Sequence, residues 1–414
     1  MEENNKNSEF VVTARKWRPR KFSEVVGQEH ITTTLKNAIL SDRVHHAYLF
    51  SGPRGVGKTT TARIYARAVN YPESIEQSPE EMNEDCKNIL EGRSMDVIEI
   101  DGASNNSVED IRSLRENAKY PPTKARYKIY IIDEVHMLST SAFNALLKTL
   151  EEPPAHLLFV FATTEIHKVP ATIISRCQRF DFKRMSTSDI VKQLKMICEQ
   201  EDINIDDQSL ITIAKKADGS MRDAQSVLDQ VIAFCGKEVK YTEMANALHL
   251  IDEDIYFEIT DAMLENSDAK MVEITARLVG EGYDMQETLE GMIEHFRNIS
   301  VIKATGNYDL VDAADAYIKK YEDAAKNFTQ NDLVKLMTVM NDAQKDMKFS
   351  SQPRIRFELA LNQLASFTSS IEISKLTNQI EELKKKPELT SQTGVLKEQQ
   401  PEYKAVKKNY ESKQ

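Results

Sequence analysis

Between residues 47 and 182 short apolar runs alternate with amphipathic stretches, the pattern of a parallel sheet covered by helices on both faces. Strands are predicted at Ala47–Ser51, 96–100, Lys128–Asp133, Leu157–Thr163 and 179–182. Helices are expected between them at 59–70, 108–119 and 141–150. In the second, Val108, Ile111, Leu114 and Ala118 share a stripe behind a cap at Ser107, with Asp110 three residues on. The third carries Phe143, Leu146, Leu147 and Leu150 on one face and stops at Pro153-Pro154. After Met185 strand patterning disappears. Residues 187–240 read as three short helices and 244–370 as a longer helical run, with stripes such as Ile259, Met263, then Met271, Ile274 and Leu278. Past about residue 370, Lys, Glu and Gln replace apolar residues, and a disordered tail is expected. The predicted class is α/β. Residues 1–184 form a domain around a five-stranded parallel sheet and 185–243 a small helical domain. An all-α domain at 244–370 and a charged tail at 371–414 follow.

Composition narrows this little. The 414 residues suffice for two or three domains, and 41% apolar with 29% charged residues suits an ordinary globular protein. No apolar run approaches a membrane span, and the first ten residues lack a secretory core. Cys86, Cys177, Cys198 and Cys235 are scattered, so a reducing cytoplasm is expected rather than a disulfide framework. The net charge of −11 argues against a chain that coats DNA unaided. It leaves room for a local basic face such as Arg15, Lys16, Arg18, Arg20 and Lys21. That cluster reads equally well as a solvated segment or as one facing nucleotide or nucleic acid.

The chemistry is concentrated at Gly52-Pro53-Arg54-Gly55-Val56-Gly57-Lys58-Thr59-Thr60, at a strand-to-helix junction. G-x-x-x-x-G-K-T in that setting wraps backbone N–H groups around a phosphate chain, with the helix N-terminus aimed at the same anion. Lys58 reaches the β/γ oxygens and the Thr59 hydroxyl can ligate Mg²⁺. Ile129 to Ile132 lead into Asp133 and Glu134, acids suited to hold Mg²⁺ and to activate water respectively. Thr163 and Thr164 close the next strand, where a hydroxyl can sit near a γ-phosphate or simply end a β-branched run. Arg176 reads as a trans-acting finger or as a surface arginine. Arg222 reads as a phosphate sensor or as a helix-terminal partner of Asp218 or Asp223.

Three longer stretches carry a resemblance: residues 96–105, 131–138 (Ile-Ile-Asp-Glu-Val-His-Met-Leu) and 144–154 (Asn-Ala-Leu-Leu-Lys-Thr-Leu-Glu-Glu-Pro-Pro). From about residue 11 to 367 the chain resembles the gamma/tau family of bacterial DNA polymerase III, which are AAA+ clamp-loader ATPases. The resemblance implies an ATP- and Mg²⁺-dependent subunit in a hetero-pentameric ring with delta- and delta-prime-type subunits and further copies of itself. It implies loading of a sliding clamp on primer–template DNA, with polymerisation in another subunit. It makes Thr164 the first sensor, Arg176 the finger and Arg222 the second sensor. Arg15 to Val26 become the adenine-facing segment, and Asn105, Asn106, Arg112, Ser139 and Thr140 face the DNA backbone. Two features depart from the family. Its zinc-binding cysteines, spaced C-x8-C-x2-C-x2-C, correspond here to Tyr71, Glu80, Asn83 and Cys86, so no zinc is expected. Where the long form continues into helicase- and polymerase-binding domains, only a charged tail follows about residue 370, so a short, gamma-like form or one with reduced C-terminal modules is expected and that coupling stays open. Two other readings compete: a ring subunit that holds nucleotide without hydrolysing it, and a phosphotransferase acting on a small metabolite.

Overall fold

A computed structural model describes residues 12–78, 80–248, 251–307, 310–311 and 315–366. The expected tail at 371–414 lies outside the described residues. The chain forms two compact units, divided between Leu250 and Ile251.

The first unit opens with α1 (Thr13–Lys16) and α2 (Glu29–Leu40), then β1 (Ala47–Ser51) and α3 (Lys58–Asn70). There follow α4 (Glu84–Glu91), β2 (Val97–Asp101), α5 (Val108–Ala118), β3 (Lys128–Asp133), α6 (Thr140–Glu151), β4 (Leu157–Thr163), α7 (Ala171–Ile174) and β5 (Gln178–Asp181). The five strands are parallel in the order β2-β3-β4-β1-β5. Alternation along each strand splits the core into two layers. Tyr48, Phe50, Ile129, Ile131, Val160 and Phe180 pack against α2 and α3 through Leu35, Ala62 and Tyr65. Leu49, Tyr130, Ile132, Phe159 and Phe161 pack against α5 and α6 through Leu114, Phe143 and Leu146. Ser107 caps α5, with Asp110 closing a capping box, and Ser139 caps α6. β2 and β5 each sit one residue from the expected span.

Beyond β5 lie α8 (Thr187–Gln200), β6 (Asn204–Ile205), α9 (Asp207–Lys216), α10 (Met221–Cys235), β7 (Glu238–Val239) and α11 (Tyr241–Ala247). The expectation that strands end at Met185 is corrected here: β6 and β7 pair in parallel. Each has two residues, too few to show a period-2 pattern. Met244 and Leu248 bury into the same small core as Leu194, Ile213 and Leu228.

Among its described residues the second unit holds helices and no strand: α12 (Glu253–Leu264), α13 (Asp268–Gly280), α14 (Met285–Thr305), α15 (Asp315–Ala325), α16 (Gln330–Lys348) and α17 (Pro353–Ala365). The stripe residues Ile259, Met263, Met271, Ile274 and Leu278 are all buried in its core. Among the described residues no helix is long and apolar enough to cross a membrane.

Candidate functional site

The site grows from the C-terminal ends of β1, β3 and β4, where loops leave a parallel sheet beside helix N-termini. After β1 the backbone takes positive φ at Gly52, Gly55 and Gly57 (147°, 75° and 99°). Gly57 then occupies the cap position of α3, so that helix begins at Lys58 with its first N–H groups facing the loop. Lys58 is buried, and its ammonium donates to the Gly52 and Pro53 carbonyls at 2.8 and 2.6 Å. Burial lowers its pKa, and the negative charges of Glu134 and Asp133 offset this in part.

The acids stand opposite. The Thr59 hydroxyl donates to Asp133 Oδ2 at 2.6 Å, so the two expected Mg²⁺ ligands converge on one point. Glu134 takes a left-handed conformation (φ 45°) that turns the chain sharply off β3. Its Oε2 accepts from the Thr164 hydroxyl at 3.0 Å and from the Thr164 backbone N–H at 3.3 Å. Ring atoms of His136 lie 3.4 Å from Glu134 Oε2 and 3.1 Å from Glu165 Oε2.

A cavity of about 930 Å³ joins these groups to the small helical domain. Arg15, Val26, Arg54 to Thr60, Asp133, Glu134 and Arg222 all border it. Lid helix α10 comes close because Gly55 has no side chain. A Cβ there would lie 1.9 Å from Ser220 Oγ, and the Arg222 N–H donates to the Gly55 carbonyl at 3.4 Å. Arg18 and Arg63 also border the cavity. Burial lowers the pKa of Arg18, and repulsion from Arg63, Arg222 and Arg15 adds to this, against attraction from Glu99. Arg63 forks onto Glu99 at 2.6 and 2.9 Å. So much converging positive charge suits a polyphosphate. The volume, the glycine cradle and the Thr59–Asp133 pair fit a Mg²⁺-nucleotide.

Arg176 lies elsewhere. It borders a separate cavity of about 590 Å³ with His45, His46 and Glu151. Its guanidinium donates to Glu151 Oε1 and to the Thr172 carbonyl, both at 2.6 Å. The residues expected to face DNA form a third group. The Ser139 N–H donates to the Asn106 carbonyl at 3.3 Å, which sets the capped starts of α5 and α6 side by side. Asn106, Arg112, Ser139 and Thr140 are exposed and Asn105 is half-buried.

Of the four positions that match the family's cysteines, Tyr71 packs half-buried against the core and Glu80 is exposed. The Asn83 side chain caps α4 by accepting from the Cys86 N–H, while Cys86 itself is buried and burial raises its thiol pKa. Among the described residues no group of three or more His, Cys, Asp or Glu side chains is placed to hold a metal. Arg18, from the basic cluster that the sequence left open between solvent and nucleotide, borders the cavity. Sequence reasoning missed Arg63 and His136. Only the spacing of Arg63, five residues beyond Lys58 on the same helix, offered a signal.

Comparisons with known proteins agree along the whole described chain. Residues 27–186 match the family described as DNA polymerase III, delta subunit. Residues 189–237 match the ATPase lid domain of the DNA polymerase III clamp loader subunit. Residues 239–380 match domain III of the DNA polymerase III subunits gamma and tau. DNA polymerase III subunit tau of Bacillus subtilis is 40% identical over 92% of this chain and 69% of its own length. DNA polymerase III subunit gamma of Buchnera aphidicola is 38% identical over 86% of this chain and 99% of its own. Escherichia coli DNA polymerase III subunit tau is 38% identical over 86% of this chain but only 56% of its own length. Agreement across three consecutive regions, together with identity of this extent, places the chain in the gamma/tau family of DNA polymerase III clamp-loader subunits.

Proposed function

We propose that this chain binds ATP in the 930 Å³ cavity and hydrolyses it to drive loading of a sliding clamp on primer–template DNA. One observation carries the reading. Asp133 and Glu134, adjacent in sequence at the turn after β3, are held by separate hydroxyls, Thr59 on α3 and Thr164 after β4. A site that merely held nucleotide would have no use for the second pair.

Residue roles follow from position. The loop from Gly52 to Thr60 and the Lys58 ammonium bind the phosphates, while Arg15 and Val26 border the space left for the base. Thr59 and Asp133 would hold Mg²⁺, which when bound neutralises charge between the β- and γ-phosphates. Glu134 orients the attacking water and takes its proton. Thr164 has one hydroxyl proton, so donation to Glu134 and donation to a γ-phosphate exclude each other. That competition lets a bound triphosphate loosen Glu134, which then keeps only the longer bond from the Thr164 backbone N–H and can turn towards water. Arg222, tied to the phosphate loop through the Gly55 carbonyl, carries nucleotide state into the lid. Arg176 serves a neighbouring protomer's nucleotide.

The paired caps of α5 and α6 offer backbone N–H groups and hydroxyls to DNA phosphates, contacts that position without reading sequence. The same surface touches the catalytic turn, because the Gly102 N–H donates to the Asp133 carbonyl at 2.8 Å. DNA seated there bears on Glu134 through that turn. The partners implied are delta- and delta-prime-type subunits, further copies of this chain and the clamp, working in the cytoplasm. Polymerisation belongs to another subunit.

The test is ATPase rate, with and without primed DNA, after mixing the chain with its delta-type partners and clamp. Turnover should be low alone and rise in the full mixture. K58A should abolish ATP binding, measured by nucleotide titration. Unchanged binding would return the chain to a structural role, and a phosphorylated metabolite would point to a phosphotransferase.

A further inference from the structure

His136 has no role in the chemistry described so far, yet its side chain is only 6% exposed and sits among catalytic groups. It lies on the short turn after Glu134, whose first residue, Val135, is buried in the sheet core. Ring Nδ1 is 3.0 Å from the Thr163 hydroxyl oxygen, and Nε2 is 3.1 Å from Glu165 Oε2. Those neighbours fix the tautomer. Glu165 as a carboxylate only accepts, so Nε2 carries the proton and donates to it. The Thr163 oxygen already accepts from the Glu165 backbone N–H at 3.0 Å, so its own proton goes to Nδ1. Nδ1 then turns a lone pair towards Glu134 Oε2, 3.4 Å away, and makes no bond to it.

We propose that His136 is a positioning residue for hydrolysis: its ring, pinned between Thr163 and Glu165, walls in the Glu134 carboxylate without tying it down. The proposal rests on Glu134 as the base. With the ring in place, Glu134 rests against Thr164 and is bounded on the side of the ring. A smaller side chain lets it swing into the space the ring fills. The groups that face the ring are Glu134 after β3 and Thr163 and Glu165 after β4. Lys168 and His167 lie behind Glu165, at 2.7 and 3.8 Å from its carboxylate. Lys168 keeps the Glu165 carboxyl below its usual pKa, so it stays an acceptor for Nε2–H.

The test compares H136A, H136Q and E134Q in the complex assembled with partner subunits, clamp and primed DNA. Gln can replace Nε2–H as the donor to Glu165, and Ala cannot. H136A should lower kcat at least tenfold, with ATP affinity kept within twofold. H136Q should recover most of that loss. Wild-type turnover in H136A overturns the proposal. So do equal losses in H136A and H136Q, which would mean that neither bulk nor a donor to Glu165 is what the ring supplies. Wild-type turnover in E134Q overturns the underlying assignment of the base instead, whatever His136 does.

Discussion

Arg67 carries its guanidinium into the core of the 71–94 insert, where it is fully buried. Nη1 donates to the Met82 sulfur at 3.1 Å and Nη2 to the Ile75 carbonyl at 3.3 Å, while Nε is without a partner. Burial lowers its pKa, and attraction from Cys86, Glu24 and Glu76 opposes that only in part. The insert thus folds around a desolvated cation and Cys86 rather than around four thiolates. A charge so poorly repaid is replaceable by an apolar side chain of similar length. R67M should leave the chain as stable or raise stability by about 1–3 kcal/mol, read by chemical denaturation. A loss of that size would mean the guanidinium organises the insert. The second unit holds an opposite case. His295 is buried between Thr260 and Tyr321, and burial pushes its pKa down from 6.5 to about 3. The folded ring stays neutral while the unfolded ring takes up a proton below about pH 6.5. Stability from this site is therefore complete above that pH and is lost as pH falls towards 3. The loss is about 2 kcal/mol by pH 5. The thermal midpoint of the second unit should drop more between pH 7 and pH 5 in the wild type than in H295Q. Equal drops would mean His295 is not the group that titrates.

At the scale of elements, one glycine sets how closely the lid approaches the phosphate loop. Gly55 sits at φ 75°, and the space its side chain would occupy belongs to Ser220, the cap of α10. G55A introduces a clash in a conformation that alanine disfavours. Weaker ATP binding, by tenfold or more, and faster hydrogen exchange at the start of α10 are expected together. Weaker binding with unchanged exchange would separate the loop from the lid. The lid is held from the other side as well. Thr13 bonds Asp229 and Trp17 donates to Glu201 at 3.0 Å, which joins the segment beside the base pocket to α10 and α8. Much of this architecture was legible in the chain. Strands such as Tyr48 to Phe50 alternate strictly between two helical layers, and the Ser107 and Ser139 caps follow from residue type alone. The two-residue strands β6 and β7 left no periodicity to read. Helix α4 was hidden because the loss of three cysteines removed the cue that marks its region. Nothing in the sequence around His136 and Arg67 marked either as buried. Burial by neighbours distant in sequence, Thr163 and Glu165 for one and Met82 for the other, is what changes their meaning.

For the whole molecule, the decisive feature is that Arg176 does not border its own protomer's nucleotide cavity. It lies beside β5, at an edge of the sheet, paired with Glu151 at 2.6 Å. Both side chains are substantially exposed, 32% and 50%, so the pair is worth about 1 kcal/mol or less and does not lock the arginine. A γ-phosphate carries more charge than Glu151 and offers a matching fork of oxygens, so it would outcompete the carboxylate once a neighbour presents it. Hydrolysis would then depend on assembly, since no single chain completes the site. R176A should leave ATP affinity of the isolated chain within twofold, because the residue is remote from that cavity. In the complex with partner subunits, clamp and primed DNA, the same change should cut turnover by about 10³-fold, the scale of a lost arginine finger. R176K should restore little, because an ammonium keeps the charge but loses the planar fork. Full turnover by R176A in the assembled complex would show that each protomer hydrolyses ATP unaided, and would leave Arg176 as a surface partner of Glu151.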